Sequence, residues 1–181
     1  MNYNQSNILV TVTGPSLTGK TTFARLIEPF GYEEIVSTTT RPPREGEVHG
    51  KHYHFVTTDE FNSMLKKNLM IEKVQVGNNL YGISKDSIKN KTNIISISRS
   101  KISDFEKNFD KVYVINITLN DTELKRRLIK RGRENIKEIE KRLERKYDKI
   151  EARNLIVFQN DKSFDDSVKA FIDTLKEIDA I

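Results

Sequence analysis

Ile8-Leu9-Val10-Thr11-Val12-Thr13-Gly14-Pro15-Ser16-Leu17-Thr18-Gly19-Lys20-Thr21-Thr22 is the stretch that decides the fold. Ile8–Thr13 is a β-branched run that ends at a glycine, the profile of a short buried strand. Gly14 to Thr21 fits G-x-x-x-x-G-K-[ST], and Thr21–Glu28 carries helical spacing up to Pro29. Strand, glycine-bounded loop, lysine, hydroxyl and helix in that order make a phosphate-binding loop. Backbone N–H groups of such a loop, together with the helix N-terminus, collect an anion. Gly14, Ser16, Thr18, Gly19, Lys20, Thr21 and Thr22 are therefore expected to bind a nucleoside triphosphate such as ATP. Lys20 is expected to reach the β- and γ-phosphates as a point charge, and the Thr21 hydroxyl to be the Mg²⁺ ligand. This motif specifies a nucleoside-triphosphate binder and leaves the second substrate open.

Outward from the loop, strand and helix signals alternate. The patterns predict strands at Tyr53–Val56, Met70–Val76, Ile94–Ser98, Val112–Ile117 and Leu155–Phe158. Gly77-Asn78-Asn79 reads as a turn. A capping box in Thr57 and Glu60 opens a helix to about Lys67, and Asn120 with Glu123 caps another. Ser163–Ile178 reads as a closing amphipathic helix with Phe164, Val168, Phe171, Ile172 and Leu175 on one stripe. Alternation of this kind implies an α/β fold, a parallel sheet flanked by helices. Residues 38–92 interrupt it as an insertion, leaving a core of 1–37 and 93–181 in a single domain of 1–181.

The 181 residues carry 31 Lys+Arg against 26 Asp+Glu and no cysteine, which excludes disulfides and thiolate metal sites. No apolar run approaches the ~20 residues that span a bilayer, and MNYNQSN has no secretory pattern. No membrane partner and a cytoplasmic location are expected. The net charge of +5 raises nucleic acid as a partner. The basic stretch lacks aromatic interleaving, so no nucleic-acid partner is expected.

The string Ser37-Thr38-Thr39-Thr40-Arg41-Pro42-Pro43-Arg44-Glu45-Gly46-Glu47, then Gly50 and Tyr53-His54-Phe55, holds two arginines three apart in an extended segment. Extended arginines converge on a phosphate through paired N–H forks; the alternative is a solvated basic loop. Together with GPS at Gly14–Ser16, Ile71-Glu72 and Tyr81-Gly82, the string resembles the guanylate kinase family, from Ile8 to the final helix. The resemblance implies a P-loop kinase fold whose insertion binds the acceptor. It implies an acceptor monophosphate gripped by Arg41, Arg44, Tyr53 and Tyr81, with Ser37 and Glu72 reading the guanine edge. The implied substrates are ATP and GMP or dGMP.

Lys125, Arg126, Arg127, Lys130, Arg131 and Arg133 crowd one helix end, followed by Lys141-Arg142. Phosphoryl transfer needs developing charge neutralised and water excluded, which a closing basic lid accomplishes. The resemblance places Arg131 and Arg142 on the ATP phosphates in a lid at about 126–145. Arg127 shares the Arg131 face, and Arg133 is a further candidate. Lys125, Arg126 and Lys130 suit a surface helix end that offsets its own dipole. Lys20, Arg44, Arg131 and Arg142 form the expected catalytic set. Asn160 resembles the family's asparagine near the adenine ring.

The pattern also departs from the family. Ser96 and Ser98 stand where carboxylates are usual, Leu17 stands where glycine is common, and Ile83 precedes Ser84 after Tyr-Gly. Serines bring no charge, so the metal shell would lean on Thr21, phosphates and water. Around Ser98-Arg99 and Arg131–Asn135 the chain is also similar to a ribose 1,5-bisphosphate kinase. Scaffold proteins carry domains of this type as silent binding modules, typically without the loop lysine that this chain retains.

Overall fold

The computed structural model describes residues 8–26, 28–88, 93–97, 99–144 and 149–178. Its elements in chain order are β1 (Ile8–Thr13), α1 (Lys20–Leu26), β2 (Glu33–Glu34), β3 (Thr38–Thr39), β4 (His54–Phe55), α2 (Thr58–Lys66), β5 (Met70–Val76), β6 (Asn79–Ser84), β7 (Asn93–Ser96), α3 (Ile102–Glu106), β8 (Lys111–Thr118), α4 (Asp121–Arg131), α5 (Ile136–Glu144), β9 (Leu155–Gln159) and α6 (Phe164–Glu177).

Five strands form a parallel sheet in the order β2-β7-β1-β8-β9, with β1 at its centre. Period-2 alternation splits the apolar residues between two faces. Val10, Val12, Ile94, Ile115 and Ile117 face a core completed by Phe23 and Ala24 of α1 and Phe171 and Leu175 of α6. Phe23, Phe158 and Phe171 meet there with ring centroids 4.7–5.4 Å apart. That cluster fixes α1, and with it the helix end that carries Lys20. Burying each such ring stabilises by roughly 2–3 kcal/mol.

Leu9, Ile95, Ile97, Val112 and Val114 face the other way, onto Ile102 and Phe105 of α3 and Ile83 of β6. This second core joins the main sheet to the insertion. The insertion forms a four-stranded sheet in the order β4-β3-β6-β5, antiparallel at both β6 pairings. Gly82 lies mid-strand in β6 because a Cβ there would come 2.5 Å from Glu72 O and 2.5 Å from Met70 Cε. The Thr57–Glu60 capping box opens α2, and the Asn120 side chain accepts from Glu123 N at the start of α4, both as expected.

Some boundaries differ from the sequence reading. α1 is described as far as Leu26, and Glu28–Phe30, with Pro29, forms a 3₁₀ turn rather than helix. Asn79 opens β6 rather than closing the turn. On α6 only Phe171 and Leu175 of the expected stripe are fully buried, and Phe164, at the first helical position, stays 60% exposed. Among the described residues, no helix is long and apolar enough to cross a membrane.

Candidate active site

β1 delivers the chain into the phosphate loop at the carboxyl end of the parallel sheet. Gly14 has φ 134°, and a Cβ there would stand 2.2 Å from Ile117 O on β8. The loop thus enters by grazing a neighbouring strand's backbone, which only glycine permits. Gly14→Ala is expected to cost about 3 kcal/mol or more, read as a lowered urea midpoint. Gly46→Ala, where nothing lies within 4 Å, should cost about 1 kcal/mol for left-handed backbone alone.

The rest of the loop is held from outside. Arg127 Nη1 donates to Leu17 O (3.0 Å) and Asn160 Nδ2 to Thr18 O (2.9 Å). Arg131 Nη1 donates to Ser16 Oγ (3.2 Å), and Thr18 Oγ1 donates to Pro15 O (3.0 Å). A trans peptide sets each C=O opposite the following N–H. With the Leu17 and Thr18 carbonyls turned outward, the amides of Thr18 and Gly19 point the opposite way, as an anion cradle requires.

Lys20 Nζ donates to Gly14 O (3.0 Å) and Pro15 O (2.6 Å), so the ammonium caps the loop. Burial, and next the charge of Arg99, lower its pKa to about 8. Arg99 follows β7, whose end runs beside β1 through Ile97 N donating to Val12 O (3.1 Å). Sequence reading left Arg99 out of the site. Thr21 and Thr22 are exposed at the start of α1, and Ser96 is exposed at the end of β7. Hydroxyl oxygens of this kind suit a hard cation that keeps phosphate and water oxygens. Ser98 lies outside the described residues.

On the acceptor side, short bonds fix the backbone around Arg41. Leu80 N donates to Thr40 Oγ1 (2.9 Å), and Arg41 N to Thr39 Oγ1 (3.1 Å). The Arg41 guanidinium forks onto Glu47 (2.8 and 2.9 Å) and donates to Pro42 O (2.8 Å). Those bonds use three of its five N–H donors. It lies 5.4 Å from the Tyr53 ring centroid and 5.6 Å from that of Phe55. Tyr53 and Tyr81 meet edge-on at 6.1 Å. Arg41, Tyr53 and Tyr81 are therefore brought together. Arg44 is exposed and enters through its backbone N–H, which donates to Glu47 (2.6 Å). Arg41, then the Arg44 backbone, hold the Glu47 carboxyl at a pKa of about 2.

Ser37 is half-buried where β3 begins to pair with β4, its carbonyl accepting from His54 N (2.8 Å). Glu72 Oε2 is buried with no hydrogen-bond partner among the described residues. Burial raises the Glu72 pKa, Lys101 opposes the rise and Asp104 adds to it. Lys101 and Asp104, a 3.3 Å ion pair at the start of α3, are further site neighbours that the sequence did not reveal.

The α4–α5 pair completes the arrangement. Arg131 bonds to Glu134, and Arg142 Nη2 approaches the same carboxylate at 3.3 Å. Glu134 gathers the two arginines, and Arg131 reaches on to Ser16 Oγ. Arg127 Nε also bonds Glu123 at 2.7 Å, and Arg126 pairs with that same glutamate as a surface residue. Arg127 and Asn160 thus brace the loop through its carbonyls.

A family model described as guanylate kinase matches residues 6–178. The chain belongs to the guanylate kinase family. The guanylate kinase of Clostridium perfringens strain SM101 is 34% identical, covering 98% of this chain and 83% of the relative. That of Clostridium tetani is 33% identical over 81% of this chain and 74% of its own length. The crystal structure of guanylate kinase from Anaplasma phagocytophilum shares the fold, with a TM-score of 0.63 at 22% identity over 97% of this chain and 88% of that one. As a member of this family, the protein is a phosphotransferase that acts on a nucleoside monophosphate.

Proposed function

We propose that this chain transfers the γ-phosphoryl group of Mg²⁺-ATP to GMP or dGMP. The observation that carries the base assignment is Glu72, whose buried carboxylate oxygen has no hydrogen-bond partner among the described residues. A buried acceptor left unmatched is costly. Guanine offers N1–H and N2–H₂ to such a group, and adenine's corresponding edge does not. Ser37 supplies a hydroxyl from the same sheet.

Arg41, Tyr53 and Tyr81 hold the acceptor phosphate, and Arg44, exposed on the same loop, adds charge. Lys20 and the loop amides hold the donor phosphates. An acceptor phosphate oxygen attacks the γ-phosphorus, the bond to the β,γ-bridging oxygen breaks, and ADP leaves. Arg131 and Arg142, leaving Glu134, neutralise charge that builds on the transferring group. Bound Mg²⁺, held by Thr21 and phosphate oxygens, supplies further charge neutralisation.

A coupled ADP-release assay across GMP, dGMP, AMP, CMP, UMP and ribose 1,5-bisphosphate tests the assignment. Turnover is expected with the guanine nucleotides and to be lowest with AMP. No turnover with either guanine nucleotide overturns it.

The pH profile follows from Lys20. Its ammonium is charged below about 8, so kcat/KM for ATP is expected to be level below that pH. Above it, kcat/KM should fall toward about tenfold per pH unit. Lys20→Arg should remove that alkaline limb whatever its absolute rate, because a guanidinium stays protonated.

A further inference from the structure

Leu17 has φ 69°, in the left-handed region, where the other non-glycine residue among those described is Asn68. Asparagine tolerates that backbone, whereas a leucine is strained there. Such strain persists where the surroundings over-determine it, and it concentrates at functional sites. Here the surroundings are visible. The Leu17 side chain packs on the apolar cluster of Leu119, Leu124, Leu128 and Ile139, as Leu143 also does. Leu124 and Leu128 belong to α4, and Ile139 and Leu143 to α5. The Leu17 carbonyl accepts from Arg127 of α4 (3.0 Å). One residue therefore packs against the cluster that joins the two helices carrying Arg131 and Arg142, from inside the loop that carries Lys20.

We propose that Leu17 is a positioning residue for phosphoryl transfer: its side chain sets the register of the α4–α5 pair on the phosphate loop. Arg131 and Arg142 then approach the phosphates at a fixed height above Lys20. A glycine would take the same turn without strain and without the key. The inference rests on the donor side of the reading above and is independent of which nucleotide accepts.

Three variants separate backbone from side chain. Leu17→Met keeps an apolar key, Leu17→Asn keeps tolerance for left-handed backbone without the key, and Leu17→Gly removes both strain and key. Each is assayed with the nucleotide that the parent turns over fastest, and a non-hydrolysable ATP analogue is titrated calorimetrically. Misplaced catalytic groups cost up to about 10²-fold, so kcat in Leu17→Asn and Leu17→Gly is expected to fall about tenfold or more. Acceptor KM and analogue Kd should stay within about threefold, because Lys20, Arg41 and the loop amides are untouched. Leu17→Met should stay within about twofold of the parent. Parental kcat in both Leu17→Asn and Leu17→Gly would overturn the proposal. So would a loss that appears equally in analogue Kd, which marks a damaged loop, or a Leu17→Met as impaired as Leu17→Gly. If the parent turns over some nucleotide other than GMP or dGMP, only the base assignment fails.

Discussion

Lys20→Ala is expected to lower kcat by about 10³-fold, the scale of losing a preorganised charge at a transferring phosphoryl group. The fold should survive. Among the described residues Lys20 Nζ bonds only to the carbonyls of Gly14 and Pro15, and in the variant water can take its place there. Its effect on stability has a definite sign. The folded chain holds this proton less tightly than an unfolded lysine does, with a pKa of about 8. Between about 8 and the ordinary lysine range near 10.4, the unfolded chain therefore binds more protons, and stability rises with pH. Below 8 the buried charge is a cost in full, so its removal leaves thermal stability unchanged or slightly higher at neutral pH. A thermal melt beside a coupled kinetic assay reads both quantities. Parental turnover in the variant would contradict the mechanism.

Arg131→Ala is expected to reduce kcat by a similar factor, about 10³-fold, as for other arginines that meet a transferring phosphoryl group. Arg131 reaches Ser16 Oγ of the loop and Glu134 together. Burial, then the charges of Arg142 and Arg133, lower its pKa, so this group is crowded by like charge and suited to an incoming anion. Glu134→Gln separates chemistry from scaffolding. If Arg131 served only to support Glu134, the glutamine variant would lose as much activity as Arg131→Ala. A catalytic Arg131 predicts instead that Glu134→Gln keeps kcat within about tenfold.

Much of this arrangement was legible in the sequence because it is local. The phosphate loop is a contiguous string with strand and helix on either side, and its caps and turns obey short-range rules. Thr57 with Glu60 and Asn120 with Glu123 appear where their spacing places them. β6 was missed because Asn79–Ser84 has no clean alternation and carries Gly82, whose role depends on a neighbouring strand's approach. α3 was missed because five residues are too few to show a helical period. Ser37, Arg41, Tyr53, Glu72 and Tyr81 were named from a family resemblance, and the structure brings Arg41, Tyr53 and Tyr81 together. What binds them stayed hidden, since Glu47 answers Arg41 and Glu134 answers Arg131 only once loops have folded. The place of Arg99 beside Lys20 and of Lys101 beside Glu72 was hidden for the same reason. Their influence on Lys20 and Glu72 passes through space between elements far apart in the chain.

The fork between Arg41 and Glu47 bears on affinity. A long, freely rotating side chain that meets a ligand must surrender rotamer entropy at that moment, about 0.5–1.5 kcal/mol for a flexible residue. Here the surrender has already happened, during folding. Glu47 stays ionised down to about pH 2, so the arginine waits in one pose across the whole physiological range. On the proposed reading, an incoming monophosphate meets a rigid receptor rather than a searching tail, and its residence time reflects contacts made, undiminished by disorder lost.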